Sequence, residues 1–377
     1  MSKPTFYFNV EPLLDSMYTG VALYTFSILQ IALDDENINW KAFAYDKLII
    51  LSRDELVDQE SCRKFLRESL DDSSEKCEVI KSADIKLSTA LYFKTVERVL
   101  DFGFTAEVLH DLSFLLCPEF HNTATVKHML PSLNEALLSS DIIFTVSEST
   151  KLDLLHYYQL PEEKVYTIYA GPSIKPPCPE PNSEERSKVA LQFGKKLNVL
   201  LIATIEPRKN HAILFELISS HPWILDFYNF RLVGEEGWGL TLEEIAYNYG
   251  LSLDSLKSNV HHFGYVSEEE KLSMLTDADI VFYPSFFEGF GMPVLEGLVF
   301  GKPVLCSDTT SLPEVGGDAA FYFDPNSVSS LLNKLFEVTK FLGENRQELV
   351  TRCKEQSIRF TWEKTYDLLV NILLERG

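Results

Sequence analysis

A chain of 377 residues is too long for one ordinary hydrophobic core and fits two domains. Its 34 Lys and Arg against 56 Asp and Glu give a formal net charge of −22, which excludes nucleic-acid binding through a general field and offers no basic face to an anionic bilayer. Six cysteines, at 62, 77, 117, 178, 306 and 353, show no CxxC or paired spacing, so a reducing cytoplasm is expected rather than a disulfide framework or zinc site. The opening MSKPTFYFNV reads as a short strand and no apolar run approaches about 20 residues, so neither a signal peptide nor an integral membrane segment is expected.

In chain order, residues 5–10 read as a strand, and a loop through Thr19 and Gly20 leads into a helix over 21–33. Residues 41–52 and 62–70 read as a strand and a helix. A strand over 107–109 ends at His110 and Asp111. Residues 124–138 are helical, 141–146 form a buried strand, and 147–158 a helix capped by Ser147 or Ser149. A strand over 165–169 closes this half. The run GPSIKPPCPEPNSEERSK, with five prolines and no apolar periodicity, marks an exposed linker from about 171 to 195.

The alternation then restarts, with strands over 198–204, 230–233, 260–263, 280–283 and 304–306. Helices over 211–219, 242–249, 267–275 and 292–300 separate them, the third opened by a capping box of Ser267 and Glu270. A last amphipathic helix covers 360–374. This pattern predicts an α/β protein of two doubly wound, Rossmann-like domains facing a cleft, over 1–175 and 196–359, with the helix of 360–377 packed back on the first.

The densest chemistry lies in PSFFEGFGMPVLE, residues 284–296. Gly289 and Gly291 let the backbone approach a ligand, and Pro293 suits an early helical position. The amides of Phe290, Gly291 and Met292 then point, beside the positive end of a helix dipole, where a diphosphate or sugar hydroxyl would sit. Glu288 and Glu296 are separated by seven residues, and each carboxylate matches a vicinal diol. In TIEPRKNH, residues 204–211, the adjacent Arg208 and Lys209 make a local phosphate site or, equally, a solvated turn with Asn210 as helix N-cap. Asp277-Ala278-Asp279 spells a metal-binding DxD, but it precedes a strand and reads as a helix-to-strand turn. His110, His121 and His128 lack ligand spacing for a metal.

With LLIATIEPRKNH, RLVGEEGWG, VHHFGYVSEEEKL and SLPEVGGDAAFYFDP, and YTGVALYT, LHDLSFLLCPEFH and FTVSEST in the first half, the chain resembles retaining GT-B glycosyltransferases of the family 4 type, the bacterial mannosyl-, glucosyl- and rhamnosyl-transferases. The resemblance implies that Lys209 and Arg208 neutralise a donor diphosphate. It implies further that Glu288 holds the transferring sugar, supported by Gly289, Phe290, Gly291 and Met292, and that Glu296 binds the ribose. Val266 would lie against the base and Leu295 near the donor. His110 would touch the sugar near its anomeric centre, and Gly20 would let the first domain close on the phosphates. Two departures stand out. Thr204 occupies the place of a common second Arg, and Ala170-Gly171-Pro172 the place of an N-G-V.

The expected reaction is metal-independent transfer of a hexose, with GDP-mannose favoured, to a glycan or lipid-linked acceptor in bacterial surface polysaccharide assembly. The nucleotide sugar is a co-substrate, no cofactor is expected, and peripheral membrane association stays open. The alternatives are a UDP-glucose- or dTDP-rhamnose-dependent transferase, or a nucleotide-sugar epimerase of the same fold.

Overall fold

Short apolar strands joined by amphipathic helices bury both strand faces only when helices cover the sheet on each side. The computed structural model describes residues 3–14, 20–45, 47–71, 85–89, 102–174 and 195–377, and it holds two such sheets. The chain divides into two compact units. The first comprises Met1–Leu115, Thr123–Ser173 and Phe360–Gly377, and the second Leu116–Asn122 and Ile174–Arg359.

In the first unit, β1 (Thr5–Asn9), α1 (Gly20–Ala32), β2 (Asn39–Ala44), β3 (Lys47–Ile49) and α2 (Gln59–Asp71) come first. They are followed by β4 (Ile85–Ser88), β5 (Phe104–Leu109), α3 (Ser113–Leu116), α4 (Thr123–Ser139), β6 (Ile142–Thr145), α5 (Glu148–Tyr158) and β7 (Val165–Thr167). The sheet order is β3-β2-β1-β4-β5-β6-β7, parallel except for β3. Residues 41–52 are therefore not one strand but a hairpin, turned at Tyr45, whose φ of 56° is left-handed. Strand β4 escaped the sequence reading. It is four residues long, and its Lys86 reads as surface, yet it pairs at 2.7 Å with Glu107 of the neighbouring strand. Ser147, not Ser149, caps α5 by accepting from the amide of Thr150.

The second unit runs β8 (Leu197–Ile202), α6 (Ala212–Ser220), β9 (Tyr228–Val233), α7 (Leu242–Asn248), α8 (Leu253–Leu256), β10 (Val260–His262) and α9 (Glu268–Asp277). Then come β11 (Ile280–Tyr283), α10 (Met292–Val299), β12 (Val304–Ser307), α11 (Leu312–Gly316), β13 (Ala320–Phe323), α12 (Val328–Glu344) and α13 (Arg346–Ser357). The order β10-β9-β8-β11-β12-β13, all parallel, is that of a doubly wound sheet. Phe215, Phe230, Phe282 and Phe323 fill its core. The capping box of Ser267 and Glu270 opens α9 as read from the sequence. Strand β13 and helices α12 and α13 are additions to that reading, and most of the proline-rich linker and Thr19 lie outside the described residues.

The last helix, α14 (Trp362–Arg376), belongs to the first unit and packs along α1. The Trp362 indole donates to the carbonyl of Pro172, and a Cβ on Gly171 would lie 2.7 Å from the indole. Glycine in Ala170-Gly171-Pro172 is thus what lets the helix start there.

Candidate active site

Strands β8 and β11 are neighbours at the centre of the second sheet, but the chain leaves β8 toward β9 and β11 toward β12. The loops after them diverge at a topological switch point, the place where open α/β sheets bind ligands. These loops carry residues 204–211 and 284–291, and they are bonded to each other. The carbonyl of Arg208 accepts from the Phe286 amide at 2.9 Å and from the Ser285 hydroxyl at 3.0 Å.

Glu288 sits at the middle of this junction, 7% exposed. Its Oε1 accepts from Lys209 Nζ at 2.6 Å, from the Ser285 hydroxyl at 2.6 Å and from the Tyr283 hydroxyl at 2.9 Å. Its Oε2 accepts from Arg208 at 3.2 Å. Burial alone would raise this carboxyl, but Lys209 and then Arg208 outweigh it and hold it down at about 2. Burial in turn pulls the Lys209 ammonium below its ordinary value, with Arg208 adding to the effect and Glu288 opposing it. Tyr283 passes a proton bond onward, accepting from Lys209 Nζ at 2.9 Å while donating to Glu288.

Arg208 also pairs with Glu206 at 2.9 Å. The cluster therefore holds two cations and two carboxylates and carries no surplus positive charge. The phosphate site expected of Arg208 and Lys209 is already balanced, so an anion there must draw also on backbone dipoles. Those belong to the start of α10, where Pro293 has no N–H and the Val294 and Leu295 amides donate to the Gly291 carbonyl, so Met292 supplies the amide of the first turn that has no intrahelical acceptor. Gly291 caps this helix at φ +99°, and a Cβ there would meet Leu312 at 2.6 Å.

The turn carrying Glu288 is braced by Thr310 and by Ser311, the first residue of the SLPEVGGDAAFYFDP stretch. The Glu288 amide donates to Thr310 Oγ1 at 3.0 Å, and the Ser311 hydroxyl donates to the carbonyls of Glu288 and Phe290. Thr310 is β-branched yet holds φ +49°, a conformation that persists only when surroundings impose it.

The remaining positions separate. Glu296, 1% exposed, pairs with Lys271 of α9 at 2.6 Å. Leu295 is fully buried in α10, and its amide donates to the Gly291 carbonyl at 3.3 Å. Val266 is half-buried in the loop after β10, beside Gly264 at φ +62°. Asn210 is not the cap of α6. It takes φ +53° ahead of it and donates to the Pro325 carbonyl, and His211 fills the cap position without a side-chain bond. Asp277 and Asp279 form the helix-to-strand turn expected of them, Asp279 accepting from the Asn198 amide. Among the described residues, no group of three or more His, Cys, Asp or Glu could hold a metal ion.

In the first unit, Gly20 opens α1, and Tyr24 one turn later meets the His110 ring edge-on at 5.2 Å. His110 Nε2 donates to the Thr89 carbonyl at 2.8 Å, which leaves the Nδ1 lone pair as its other face when neutral. Burial lowers the imidazole below its ordinary value, so it is neutral near pH 7. Asp111 accepts from the amide and hydroxyl of Ser113, the first residue of α3.

The family model described as "Glycosyl transferases group 1" matches residues 182–359. O-antigen chain mannosyltransferase B of Escherichia coli is 30% identical over 266 residues, which is 70% of this chain and 68% of that protein. The serotype-specific mannosyltransferase WbdA of the same species is 27% identical over 62% of this chain, and the match spans only 28% of that longer protein. Among solved structures, Anabaena Alr3699/HepE in complex with UDP-glucose superposes with a TM-score of 0.68 at 15% identity, covering 98% of this chain and 99% of that one. WaaG, a glycosyltransferase involved in lipopolysaccharide biosynthesis, gives 0.63 at 16% identity, covering 97% and 99%. With a switch-point carboxylate clamped by two cations on one of two doubly wound sheets, the chain is a glycosyltransferase of the GT-B fold and belongs to the group 1 glycosyl transferases.

Proposed function

We propose that this transferase moves mannose from GDP-mannose to a hydroxyl of a glycan or lipid-linked glycan in bacterial surface polysaccharide assembly, with retention of configuration and without a metal. The observation that carries the reading is Glu288, almost wholly buried and yet held ionised at the switch point. A carboxyl held at about 2 is a poor base near neutral pH. Its use is as an acceptor for a sugar hydroxyl through Oε2, which takes one bond, from Arg208, where Oε1 takes three. The acceptor hydroxyl then attacks from the side the leaving group departs. That departing diphosphate gains charge, which Lys209, Arg208 and the first turn of α10 would offset together. Glu296 would take the ribose diol, Val266 the base, and Gly20 and His110 the donor's phosphate and sugar from the first unit's loops. Support for mannose comes from the two E. coli relatives, both named mannosyltransferases. The scattered cysteines favour the cytoplasm. No helix among the described residues is long and apolar enough to cross a membrane.

The test is nucleoside diphosphate release from GDP-mannose, UDP-glucose and dTDP-rhamnose, with and without a glycan acceptor. GDP-mannose with acceptor should turn over fastest, and Glu288→Gln should lower kcat by about a hundredfold or more with the circular dichroism unchanged. Near-wild-type turnover of the Gln variant sinks the assignment of Glu288. Preference for UDP-glucose, the ligand of the HepE complex, would replace the donor. Turnover of the nucleotide sugar with no diphosphate release would point to an epimerase.

A further inference from the structure

Next to the Glu288 cluster, and inside the second unit alone, lies an open cavity of about 400 Å³. Glu206 forms part of its wall on the side of Arg208, so the cavity and Glu288 are separated by a single guanidinium. Phe120 and Phe286 stack face to face across another wall, with centroids 5.1 Å apart and planes within 6°. Glu216 is exposed at the margin, Leu240 stands on the rim, and His211 lies behind.

Three properties of this lining narrow what fits. Among the described residues no lysine or arginine lines it, and its two carboxylates are Glu206, already paired with Arg208, and the exposed Glu216, so the lining holds nothing that attracts a phosphate or carboxylate ligand. The flat pair of phenyl rings offers an apolar, electron-rich face suited to the C–H side of a saturated ring. His211 is 2% exposed, and neither ring nitrogen has a hydrogen-bond partner. Burial, with Lys209 and His262 adding to it, depresses this imidazole to about 3, so it stays neutral, with one donor and one acceptor to satisfy. A hydroxyl, which both donates and accepts, can serve either nitrogen. A ligand that is neutral, ring-shaped and rich in hydroxyls is a sugar.

We propose that this cavity is a saccharide-binding subsite, adjoining the Glu288 site and sharing its two loops, which holds one unit of a neutral glycan against Phe120 and Phe286. Its role in transfer rests on the glycosyltransferase activity, whereas its binding does not. Phe120 belongs to Leu116–Asn122, the short segment contributed by the first half of the sequence to the second unit. The subsite is thus assembled from both halves.

The probes are methyl glycosides of mannose, glucose, galactose, rhamnose and N-acetylglucosamine, and mannobiose, titrated into the full chain without nucleotide. The readout is the Cε1–H resonance of His211. At least one probe should give a saturable shift with a dissociation constant on the order of millimolar. Phe120→Ala and the rim-filling Leu240→Trp should each weaken it about tenfold, while Glu288→Gln leaves it unchanged. The proposal is overturned if no probe moves the resonance at about 50 mM, or if neither variant weakens binding. It is also overturned if Glu288→Gln abolishes the shift, which would seat the sugar in the donor site, or if uridine or guanosine saturates the cavity better than any sugar. Failure of the donor panel above leaves this outcome untouched, so the two readings fall separately.

Discussion

A carboxylate taken out of water stays ionised only if its lone pairs are filled by charged or well-aligned donors. Glu288 meets this condition with Lys209, Arg208, Ser285 and Tyr283, and of these only the tyrosine touches both sides of the ion pair. Tyr283 is therefore a positioning residue. The sign of the pH effect follows from the carboxyl being held at about 2 rather than 4.5. Between these values the folded chain binds fewer protons than the unfolded one, so the stability contributed by Glu288 is present above about 4.5 and is lost as pH falls toward 2. Tyr283→Phe removes one donor and should raise the folded carboxyl. Acid unfolding would then begin at higher pH, and kcat for donor turnover would drop about tenfold with KM little changed. Acid titration by fluorescence and steady-state kinetics check both, and an unaltered acid midpoint would show that the hydroxyl is not part of the clamp.

At the scale of elements, the site is made where β8 and β11 end and α10 begins, and the junction depends on one residue without a side chain. Gly291 combines φ +99° with 2.6 Å from its absent Cβ to Leu312. Gly291→Ala should cost about 1–3 kcal/mol in denaturant melts, more than its burial alone would suggest. A change within about 0.5 kcal/mol would mean that the turn relaxes freely. The same junction shows what was legible in the sequence. PSFFEGFGMPVLE disclosed the strand end, the glycines and Glu288, because each is a local signal. Hidden from it were Glu206 as the second carboxylate, Tyr283 as a donor, and Thr310, which contacts Glu288 from 22 positions away. Contacts closed by tertiary packing have no period or spacing to read. Strand β4 was lost for a related reason, its Lys86 being made tolerable in the interior only by Glu107 from the next strand.

At the scale of the molecule, the second unit takes nearly all its residues from one run, Ile174–Arg359, while the first needs both ends of the chain. Within that first unit, α14 buries Trp362, Tyr366, Leu369 and Leu373, and Tyr366 bridges Trp40 and Asp35 by hydrogen bonds. Removing residues 360–377 should abolish the first unit's cooperative transition and leave the second's, seen as one melting step in place of two and protease-resistant fragments confined to 195–359. A truncated chain that keeps both transitions would contradict the role of α14.

The split also sets an order of events during synthesis. A ribosome that has just added Arg359 has delivered everything the second unit requires, while the first unit still lacks its closing helix. Domains usually fold in the order in which they emerge. Here the later-made unit can finish first, and the earlier one must wait, with the α1 surface uncovered, until residues 360–377 arrive. A stop codon directly after Arg359 would therefore damage the unit begun earlier and spare the one begun later.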